Sequence, residues 1–490
     1  MTDAPLWTSD EILAATGGVL AGDAFAAHGV SIDTRTIEAG DLFVALPGAR
    51  SDGHDFVAAA FARGASAALV SRHMADAAGP LVRVDDTHKA LEALGQRARA
   101  RANARILAVT GSVGKTSTKE ALRLALGRGR LTHASAASYN NAIGVPLSLA
   151  RMPADTVFGV FELGMNHAGE LTGLSRQVRP HVALITNVEE AHRAHFDTVE
   201  DIADAKAEVF AGLEPGGIAV LNRDNPHFAR LRAAAERAGA ARIVAFGLDQ
   251  TADAHAIRYV LHEDCSCVTA RIQDARMLYK VGAPGRHWVV NSLAVLLTAH
   301  MLGADLGLAA LALADMMPVE GRGQRHLVTV SPDVSFWVVD ESYNANPASM
   351  RAALDTLGNF SIEPAEGRSG RATRLRGRRI AVLGDMRELG DAGPRLHAAL
   401  AQAINDADVD LVLTVGELMR HLWDALPGHL RLAHVATAAE AADVIAAEVK
   451  ASDIVMVKGS QSMGMIKVVN ALRDLGRAPA EPASSKQMKG

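Results

Sequence analysis

A glycine-rich run near residue 110 has the residue types and spacing that bind a nucleotide polyphosphate. Thr110–Thr118 reads TGSVGKTST; it follows the apolar run Ile106–Val109, which predicts a buried strand, and precedes the helical stretch Lys119–Leu126. The backbone N–H groups of such a turn and the N-terminus of its helix point at phosphate oxygens. The motif puts Lys115 at the β- and γ-phosphates and the Thr116 hydroxyl on Mg²⁺. The predicted nucleotide contacts of this run are Gly111, Ser112, Gly114, Lys115, Thr116 and Ser117.

The run is shorter than the full phosphate-loop pattern. Val109 stands where the first glycine of that pattern should be. Taken alone, the run is therefore also consistent with a strand, a turn and a helix that carries a surface lysine. A GTPase switch would use the same loop, but the Asn-Lys-x-Asp signature expected of it does not occur in the sequence.

Three polar residues downstream could complete a metal and catalytic site. Glu162 ends a predicted strand, where a carboxylate beside a phosphate loop suits Mg²⁺; a capping or solvated glutamate is the alternative. His192 follows the strand-like run Val182–Thr186, although a lone histidine is more often structural. Lys206 lies in a helical segment with acidic neighbours, and its spacing alone favours a surface ion pair.

Four further groups of polar residues could contact a ligand. Asn140 and Asn141 predict a turn with two side-chain amides available. Asp340–Pro347 is a dense polar cluster after a buried strand, for which a capped turn into a helix is the alternative. Gly384–Gly390 and Lys458–Ser460 close two more strands in the same way. These strand ends predict a second ligand surface that faces the nucleotide.

Apolar runs alternate with helical stretches and predict an α/β fold with three domains. A small N-terminal α/β domain spans 1–83, a central phosphate-loop domain with a doubly wound parallel sheet spans 84–318, and a Rossmann-like α/β domain spans 319–477. Proline and glycine near Pro318–Gly323 mark the second boundary. The strand-like runs are Val157–Leu163, Val182–Thr186, Ile218–Leu221, Ile243–Phe246, Ser335–Val339, Ile380–Leu383, Leu411–Val415 and Ile454–Val457.

Two segments are predicted to lie outside the packed domains. The segment 363–379 carries six arginines and several glycines; an exposed insertion is the favoured interpretation, and a phosphate grip is the alternative. The tail 478–490 is rich in Ala, Pro and Ser, and we expect it to be disordered.

Composition argues against several classes of protein. A net charge of −5 and an aromatic content of 4% argue against a nucleic-acid partner. The first basic residue is Arg35, so the N-terminus does not resemble a secretory signal. The uncharged stretch His287–Ala304 contains polar residues and predicts a buried helix rather than a membrane span. We therefore expect a cytoplasmic protein without stable membrane insertion.

Taken in sequence order, these motifs resemble those of the Mur ligases, the ATP-dependent amide-forming ligases of bacterial cell-wall synthesis. The matching segments are Thr110–Glu120, Asn140–Pro146, Glu162–Asn166, Thr186–His192, Gly285–His287 with Asn291, Gly321-Arg322 and Asp340–Met350. Tyr343–Pro347 and Gly384–Gly390 resemble the branch that adds D-alanyl-D-alanine to UDP-N-acetylmuramoyl-tripeptide. Ser31–Arg35 and Asp52–His54 resemble the segment that holds the UDP end of that substrate.

The resemblance implies an acyl-phosphate mechanism. ATP gives its γ-phosphoryl group to the peptide carboxylate, the amine of D-alanyl-D-alanine attacks, and phosphate leaves. Lys115 and two Mg²⁺ ions would offset the charge of the approaching anions. Thr116 and Glu162 would bind Mg²⁺, and His192 would belong to the same metal region. Lys206 would be carbamylated by CO₂ into a metal-binding carboxylate, so the expected catalytic residues are Lys115, Lys206 and His192.

The resemblance also assigns the remaining nucleotide and substrate contacts. Asn291 would face adenine, Arg322 the γ-phosphate, and Asp340 or Glu341 the ribose. The expected substrate-binding residues are Thr34, Arg35, Asp52, Asn140, Asn141, Asn344 and Asn346. The expected partners are the two substrates alone, and we expect a monomer.

The chain departs from the family pattern at three positions and is also open to two rival interpretations. The chain departs from the family pattern at Trp288, Glu341 and Gln461, where Asn, Asp and Arg are usual. A sibling ligase that adds glutamate to folate would share the ATP half; Asn344–Pro347 and the UDP-type segment weigh against it. An inactive scaffold would not be expected to keep the lysines and the carboxylate of the phosphate and metal set.

Overall fold

The protein consists of α/β domains that follow one another along the chain. The computed structural model describes residues 4–48, 51–74, 76–190, 193–362 and 377–477. His192, most of the arginine-rich segment 363–379 and the tail 478–490 lie outside these ranges. The described part of the chain forms three such domains, each with its own main sheet, which confirms the predicted fold class.

The N-terminal domain is built on a short-stranded sheet. Its elements are β1 (Trp7–Thr8), α1 (Ser9–Thr16), β2 (Val19–Ala21), β3 (Ala26–Ala27), β4 (Gly29–Ser31), β5 (Asp41–Val44), α2 (Val57–Ala62), β6 (Ala67–Val70) and β7 (Leu81–Arg83). The strand order is β2-β7-β6-β5-β4, parallel except for β2 at the edge. Helix α3 (Thr87–Arg101) follows, and the Asp86 carboxylate caps it by accepting from the His88 and Lys89 N–H groups.

The central domain carries the phosphate-loop sequence. Its strands are β8 (Arg105–Thr110), β9 (Thr132–Ala134), β10 (Phe158–Glu162), β11 (Val182–Ile185), β12 (Ile218–Asn222), β13 (Arg242–Gly247), β14 (Ala254–Leu261), β15 (Ser266–Ile272) and β16 (Ala275–Val281). Its helices are α4 (Lys115–Gly127), α5 (Gly144–Ala150), α6 (Glu170–Val178), α7 (Val199–Ala207), α8 (Phe228–Arg237), α9 (Arg286–Met301) and α10 (Leu306–Ala314). The order is β16-β15-β14-β13-β12-β11-β8-β10-β9, parallel from β9 to β14.

Strand β8 lies inside the central sheet and is covered on both faces. Leu107 and Val109 pack into a core with α4 and α9, whereas Ile106 and Ala108 pack into a second core with α5, α6 and α7. A strand buried on both faces reads as a continuous apolar run, which is the pattern that predicted it. The antiparallel strands β15 and β16 extend this sheet beyond the strands that the apolar runs predicted.

The C-terminal domain is a second, mostly parallel sheet. Its elements are β17 (Gln324–Ser331), β18 (Val334–Glu341), α11 (Pro347–Gly358), β19 (Arg379–Gly384), α12 (Gly393–Ala398), α13 (Leu400–Asp406), β20 (Leu411–Val415), α14 (Arg420–Ala425), β21 (Arg431–Val435), α15 (Ala438–Glu448), β22 (Ile454–Lys458) and α16 (Ile466–Asp474). The order is β17-β18-β22-β19-β20-β21, with only the β17–β18 pair antiparallel among the described strands.

The eight strand-like runs of the sequence coincide with strands of the central and C-terminal sheets. They are β10, β11, β12, β13, β18, β19, β20 and β22. Helix α9 confirms the buried helix predicted for His287–Ala304. Within the described ranges, every helix is too short or too polar to cross a lipid bilayer.

The N-terminal domain is fixed to the central domain through directional contacts. Trp7 Nε1 donates to the Ala150 carbonyl oxygen at 2.8 Å, and the Arg101 guanidinium lies 3.9 Å from the centre of the Trp7 ring. Arg151 Nε donates to the Val30 carbonyl oxygen at 2.6 Å. These contacts hold the first sheet against helix α5 of the second.

His397 in the C-terminal domain is a fully buried histidine held in one neutral form. Its Nε2 accepts from the Met386 N–H at 2.9 Å, and its Nδ1–H donates to the Gly393 carbonyl oxygen at 2.6 Å. Burial lowers the pKa of His397. A second proton would face the Met386 N–H, so the folded protein binds it less readily than the unfolded chain.

We expect acid to destabilise the protein partly through His397. Because its folded pKa lies below the unfolded value of about 6.5, this contribution to stability is present above about pH 6.5 and is lost as the pH falls through the folded pKa. His397→Gln should therefore show a smaller drop in Tm from about pH 7.5 to about pH 5.5 than the wild type. The exposed His300→Gln is the matched control and should keep the wild-type drop. Equal drops in all three proteins would contradict this role for His397.

Candidate functional site

A cavity of about 970 Å³ lies between the central and C-terminal domains. It sits at the carboxyl ends of β8, β10, β11 and β12 and faces the carboxyl ends of β18, β19 and β22. Open α/β sheets bind their ligands at this edge. The sequence-predicted residues that line it are Ser112, Gly114, Lys115, Thr116, Ser117, Asn140, Glu162, Asn291, Arg322, Glu341, Asn344 and Asn346.

Two glycines shape the loop between β8 and α4. Gly111 has a φ of 151°, and a Cβ there would lie only 2.0 Å from Thr186 Oγ1. Thr186 Oγ1 in turn donates to the Val113 carbonyl oxygen at 2.6 Å. Gly114 has a φ of 80° and is the N-cap of α4, so the helix starts at Lys115. Both glycines adopt backbone conformations that other residues rarely reach, and the loop directs the N-terminus of α4 into the cavity.

Lys115 lies at the start of α4 with its ammonium folded back onto the loop. Its Nζ donates to the Gly111 carbonyl oxygen at 2.6 Å. Burial lowers the pKa of Lys115, the Glu162 carboxylate opposes that effect, and the nearby Arg322 adds to it. An anion in the cavity would therefore stabilise the charged lysine, as a polyphosphate does in a phosphate loop.

Glu162 presents a buried carboxylate to the same cavity. The side chain is 1% exposed at the end of β10, and its Oε1 accepts from Asn140 Nδ2 at 2.8 Å. Its Oε2 is buried and has no hydrogen-bond partner among the described residues. A buried carboxylate oxygen without a partner is costly unless a cation completes it. Together with the hydroxyl of Thr116, it offers the oxygen ligands that fit Mg²⁺.

Lys206 lies on the last turn of α7 and is 2% exposed. Within the described residues its ammonium makes no hydrogen bond or ion pair. Burial, followed by the positive charge of Lys115, holds the pKa of Lys206 well below its usual value. The surface ion pair that spacing alone favoured is wrong, because the side chain is buried and unpaired. Such a lysine readily becomes an uncharged, nucleophilic amine.

Among the described residues, the predicted metal site does not coincide with a cluster of ordinary metal-binding side chains. No group of three or more His, Cys, Asp or Glu residues in the described part of the chain is arranged to hold a metal ion. The predicted set instead combines one carboxylate, one hydroxyl and the buried Lys206. The fourth predicted member, His192, lies outside the described residues.

A second part of the cavity is lined by α9. Asn291 approaches the phosphate loop closely, since a Cβ at Gly114 would lie 3.3 Å from Asn291 Nδ2. His287 is uncharged at neutral pH, because burial lowers its pKa to about 4. Trp288, which stands where the family usually has Asn, is 6% exposed and also lines the cavity. This end offers an apolar ring and an amide to a ligand.

Of the two acids at the end of β18, only Glu341 reaches the cavity. Asp340 is 1% exposed, does not line the cavity, and accepts from the Ser342 N–H at 3.0 Å. Glu341 forms a 3.2 Å ion pair with Lys458. Lys458 Nζ also donates to the Asn344 carbonyl oxygen at 2.9 Å. Of these two acids, the carboxylate that a ligand in the cavity could contact is therefore that of Glu341.

Two of the predicted substrate-binding asparagines are used by the fold. Asn346 Oδ1 accepts from the Ser349 N–H at 2.9 Å and caps α11. Asn141 Oδ1 accepts from the Gly144 N–H at 2.8 Å at the start of α5, and Asn141 does not line the cavity. The capped-turn alternative for Asp340–Pro347 therefore explains the Asn346 oxygen, and the predicted turn at Asn141 uses its own side-chain oxygen.

The predicted residues of the N-terminal domain lie apart from this cavity. Arg35 is largely exposed and pairs with Asp33 at 2.6 Å, and Thr34 lies between them in sequence. Asp52 accepts from the Nδ1–H of buried His54 at 2.6 Å. The structure thus separates these three residues from the phosphate loop, as two ends of a long substrate would require.

Lys119 is a buried lysine whose role sequence reasoning missed. It is fully buried, and its Nζ donates to the carbonyl oxygens of Ser135 at 2.8 Å and Ala137 at 2.6 Å. The available signal was its spacing, because Lys119 stands three and seven residues before Leu122 and Leu126 on the apolar stripe of α4. A lysine on that stripe must find acceptors inside the protein.

Comparison with known families covers most of the chain. Residues 26–99 match the Mur ligase family catalytic domain, residues 109–299 the Mur ligase middle domain, and residues 327–461 the Mur ligase glutamate ligase domain. The chain is 31% identical over 466 residues to the UDP-N-acetylmuramoyl-tripeptide–D-alanyl-D-alanine ligase of Rickettsia prowazekii, covering 95% of this chain and 99% of that one. The Escherichia coli enzyme of the same name is 33% identical, with 94% and 96% covered.

Solved structures give the same result. A crystal structure of MurF from Acinetobacter baumannii matches with a TM-score of 0.80 and 29% identity, covering 96% of this chain and 99% of that one. MurF from Thermotoga maritima in complex with ADP, at 24% identity, shares the fold with a TM-score of 0.74. The family resemblance of the motifs is thus confirmed along nearly the whole sequence. The chain belongs to the Mur ligase family.

Proposed function

We propose that this protein is an ATP-dependent ligase that joins D-alanyl-D-alanine to UDP-N-acetylmuramoyl-tripeptide through an acyl phosphate, in peptidoglycan precursor synthesis. The observation that carries the proposal is the unpartnered, buried Glu162 oxygen beside the phosphate loop, in a cavity that faces the polar loops of the C-terminal domain. The names of the relatives from Rickettsia prowazekii and Escherichia coli support the same reaction.

A carboxylate does not form an amide with an amine in water, so the proposed reaction first activates the peptide carboxylate. The peptide carboxylate attacks the γ-phosphorus of ATP, and ADP leaves. The dipeptide amine then attacks the acyl carbon, phosphate leaves with the C–O bond electrons, and the amine loses a proton. Lys115 would hold the transferring phosphoryl group, and Arg322, which also lines the cavity, would add a second positive charge.

Mg²⁺ fits the residues present, with Glu162 and Thr116 as its holders and His192 as a further candidate. When bound, the proposed two ions would neutralise phosphate charge. We propose that Lys206 is carbamylated, because a buried, unpaired amine with a lowered pKa adds CO₂ readily and thereby becomes an oxygen ligand. Glu341, held by Lys458, would contact the ribose, and Asn291 the adenine.

The rest of the substrate would extend away from the cavity in two directions. We propose that Thr34, Arg35 and Asp52 hold the UDP end, and that Asn140, Asn344 and Asn346 line the peptide end. The domain limits that we propose are 1–83, 84–318 and 319–477. We propose that the protein acts as a monomer.

The direct test is phosphate release from ATP. Release should require both UDP-N-acetylmuramoyl-tripeptide and D-alanyl-D-alanine, and it should be absent with folate plus glutamate. Release with the folate pair, and not with the peptide pair, would overturn the proposed function.

We expect Lys115→Ala to abolish ligation while leaving the fold intact. Loss of one charge-stabilising group at a phosphoryl-transfer site typically lowers kcat by about 10²- to 10³-fold. The measurement is the initial rate at saturating ATP, with Tm as the check on folding. Lys467→Ala, which removes an exposed lysine of α16, is the matched control and should keep the wild-type rate. Near wild-type turnover of Lys115→Ala would reject the phosphate-loop assignment.

We expect both Lys206→Ala and Lys206→Arg to lose about 10²-fold or more in kcat, because neither side chain can form a carbamate. Acetate should partly restore Lys206→Ala by supplying a carboxylate in the vacated space. It should not restore Lys206→Arg, whose side chain still fills that space.

A readout independent of activity tests the same assignment. Wild-type protein equilibrated with ¹³C-bicarbonate should give a carbamate carbon signal in its NMR spectrum, and Lys206→Ala should lack that signal. Substantial activity of Lys206→Arg, or a wild-type spectrum without the signal, would show that the lysine acts as an unmodified amine.

A further inference from the structure

Tyr343 joins the central and C-terminal domains at the cavity. Its hydroxyl and Ser138 Oγ share a hydrogen bond of 2.5 Å. The guanidinium carbon of Arg322 lies 4.2 Å from the centre of the Tyr343 ring, a cation–π distance. One side chain therefore contacts a loop of the central domain and an arginine that precedes the C-terminal sheet.

The loop that carries Ser138 is rigidly attached to the phosphate-loop helix. Lys119 of α4 donates to the carbonyl oxygens of Ser135 and Ala137, on the N-terminal side of Ser138. On the other side, Asn140 Nδ2 donates to the Glu162 carboxylate at 2.8 Å. Ser138 is therefore held at a fixed position relative to the phosphate loop and to Glu162, the proposed metal ligand.

Arg322 is held next to Tyr343 through backbone contacts of the preceding residue, Gly321. The Tyr343 N–H donates to the Gly321 carbonyl oxygen at 3.1 Å, and a Cβ at Gly321 would lie 2.8 Å from the Tyr343 Cβ. Gly321 has a φ of 71°, which favours glycine. Gly321, which directly precedes Arg322, and Tyr343 thus form one tightly packed unit.

We propose that Tyr343 is a positioning residue that places Arg322 for phosphoryl transfer when its hydroxyl meets Ser138. This inference rests on the proposed function, since Arg322 has a task only if a γ-phosphate is transferred. The ring fixes the plane of the guanidinium, and the hydroxyl bond sets the distance between Arg322 and the phosphate loop. Arg322 therefore reaches its position at the phosphate loop when the central and C-terminal domains close.

The test separates the hydroxyl from the ring. Tyr343→Phe and Ser138→Ala each remove the interdomain hydrogen bond and should each lower kcat about fivefold. The double variant should also be about fivefold slower, because both changes remove the same bond. Tyr343→Leu removes the ring as well and should approach the rate of Arg322→Ala. The KM for D-alanyl-D-alanine should stay at the wild-type value in Tyr343→Phe and Ser138→Ala.

The chain offers a matched control for the loss of a tyrosine–serine hydrogen bond. Tyr279 OH and Ser292 Oγ lie 2.9 Å apart, both buried within the central domain. Tyr279→Phe should therefore change Tm but leave kcat unchanged. A double variant whose losses multiply, or a Tyr343→Leu protein as fast as Tyr343→Phe, would overturn the positioning role.

Small-angle scattering gives a second readout that does not depend on ligation. With a saturating non-hydrolysable ATP analogue, Tyr343→Phe and Ser138→Ala should have a larger radius of gyration than the wild type, and Tyr279→Phe should match the wild type. Equal radii in all four proteins would overturn the inference. If the wild type fails to ligate while the radii differ as expected, the proposed function is wrong and the interdomain contact of Tyr343 still stands.

Discussion

The balance of charge around the phosphate loop, between Lys115, the buried Lys206 and the buried Glu162, is the constraint on which the site depends. Burial and the positive charge of Lys115 lower the pKa of Lys206, whereas the Glu162 carboxylate favours the charged form of Lys115 and keeps one oxygen without a partner among the described residues. Burying unpaired charge is expensive, so the site is incomplete as protein alone. Phosphate, a divalent cation and a carbamate are the groups that would balance it, and each is a component of the proposed reaction.

The sheets explain why these groups can meet. Strand β8 ends at Thr110, and β10 beside it ends at Glu162, so the loop and the carboxylate emerge at the same edge. The C-terminal sheet turns the ends of β18 and β22 towards that edge, where Glu341 and Lys458 pair. The two halves of the cavity therefore come from parallel strands whose carboxyl ends face each other.

Much of the fold could be predicted from the sequence, because buried parallel strands read as apolar runs. The short edge strands lack such runs and were missed. At the site, the phosphate-loop motif and the family resemblance predicted many of the residues that line the cavity. The prediction that Lys206 forms a surface ion pair was wrong, because it assumed that a charged residue on a helix faces water. The spacing of Lys119 on the apolar stripe of α4 was a signal of its burial, whereas only three-dimensional packing shows that Asp340 turns away while Glu341 reaches the cavity.

Helix α3 packs the N-terminal and central domains together. Leu91 and Leu94 of this helix share one apolar core with Val30 of the first sheet and with Leu147 of α5. Separating the two domains after residue 83 would therefore expose this shared core. The N-terminal and central domains should instead move together as a single rigid unit. The proposed UDP-binding residues and the phosphate loop would then keep a constant separation, which would restrict the length of the substrate that can lie between them.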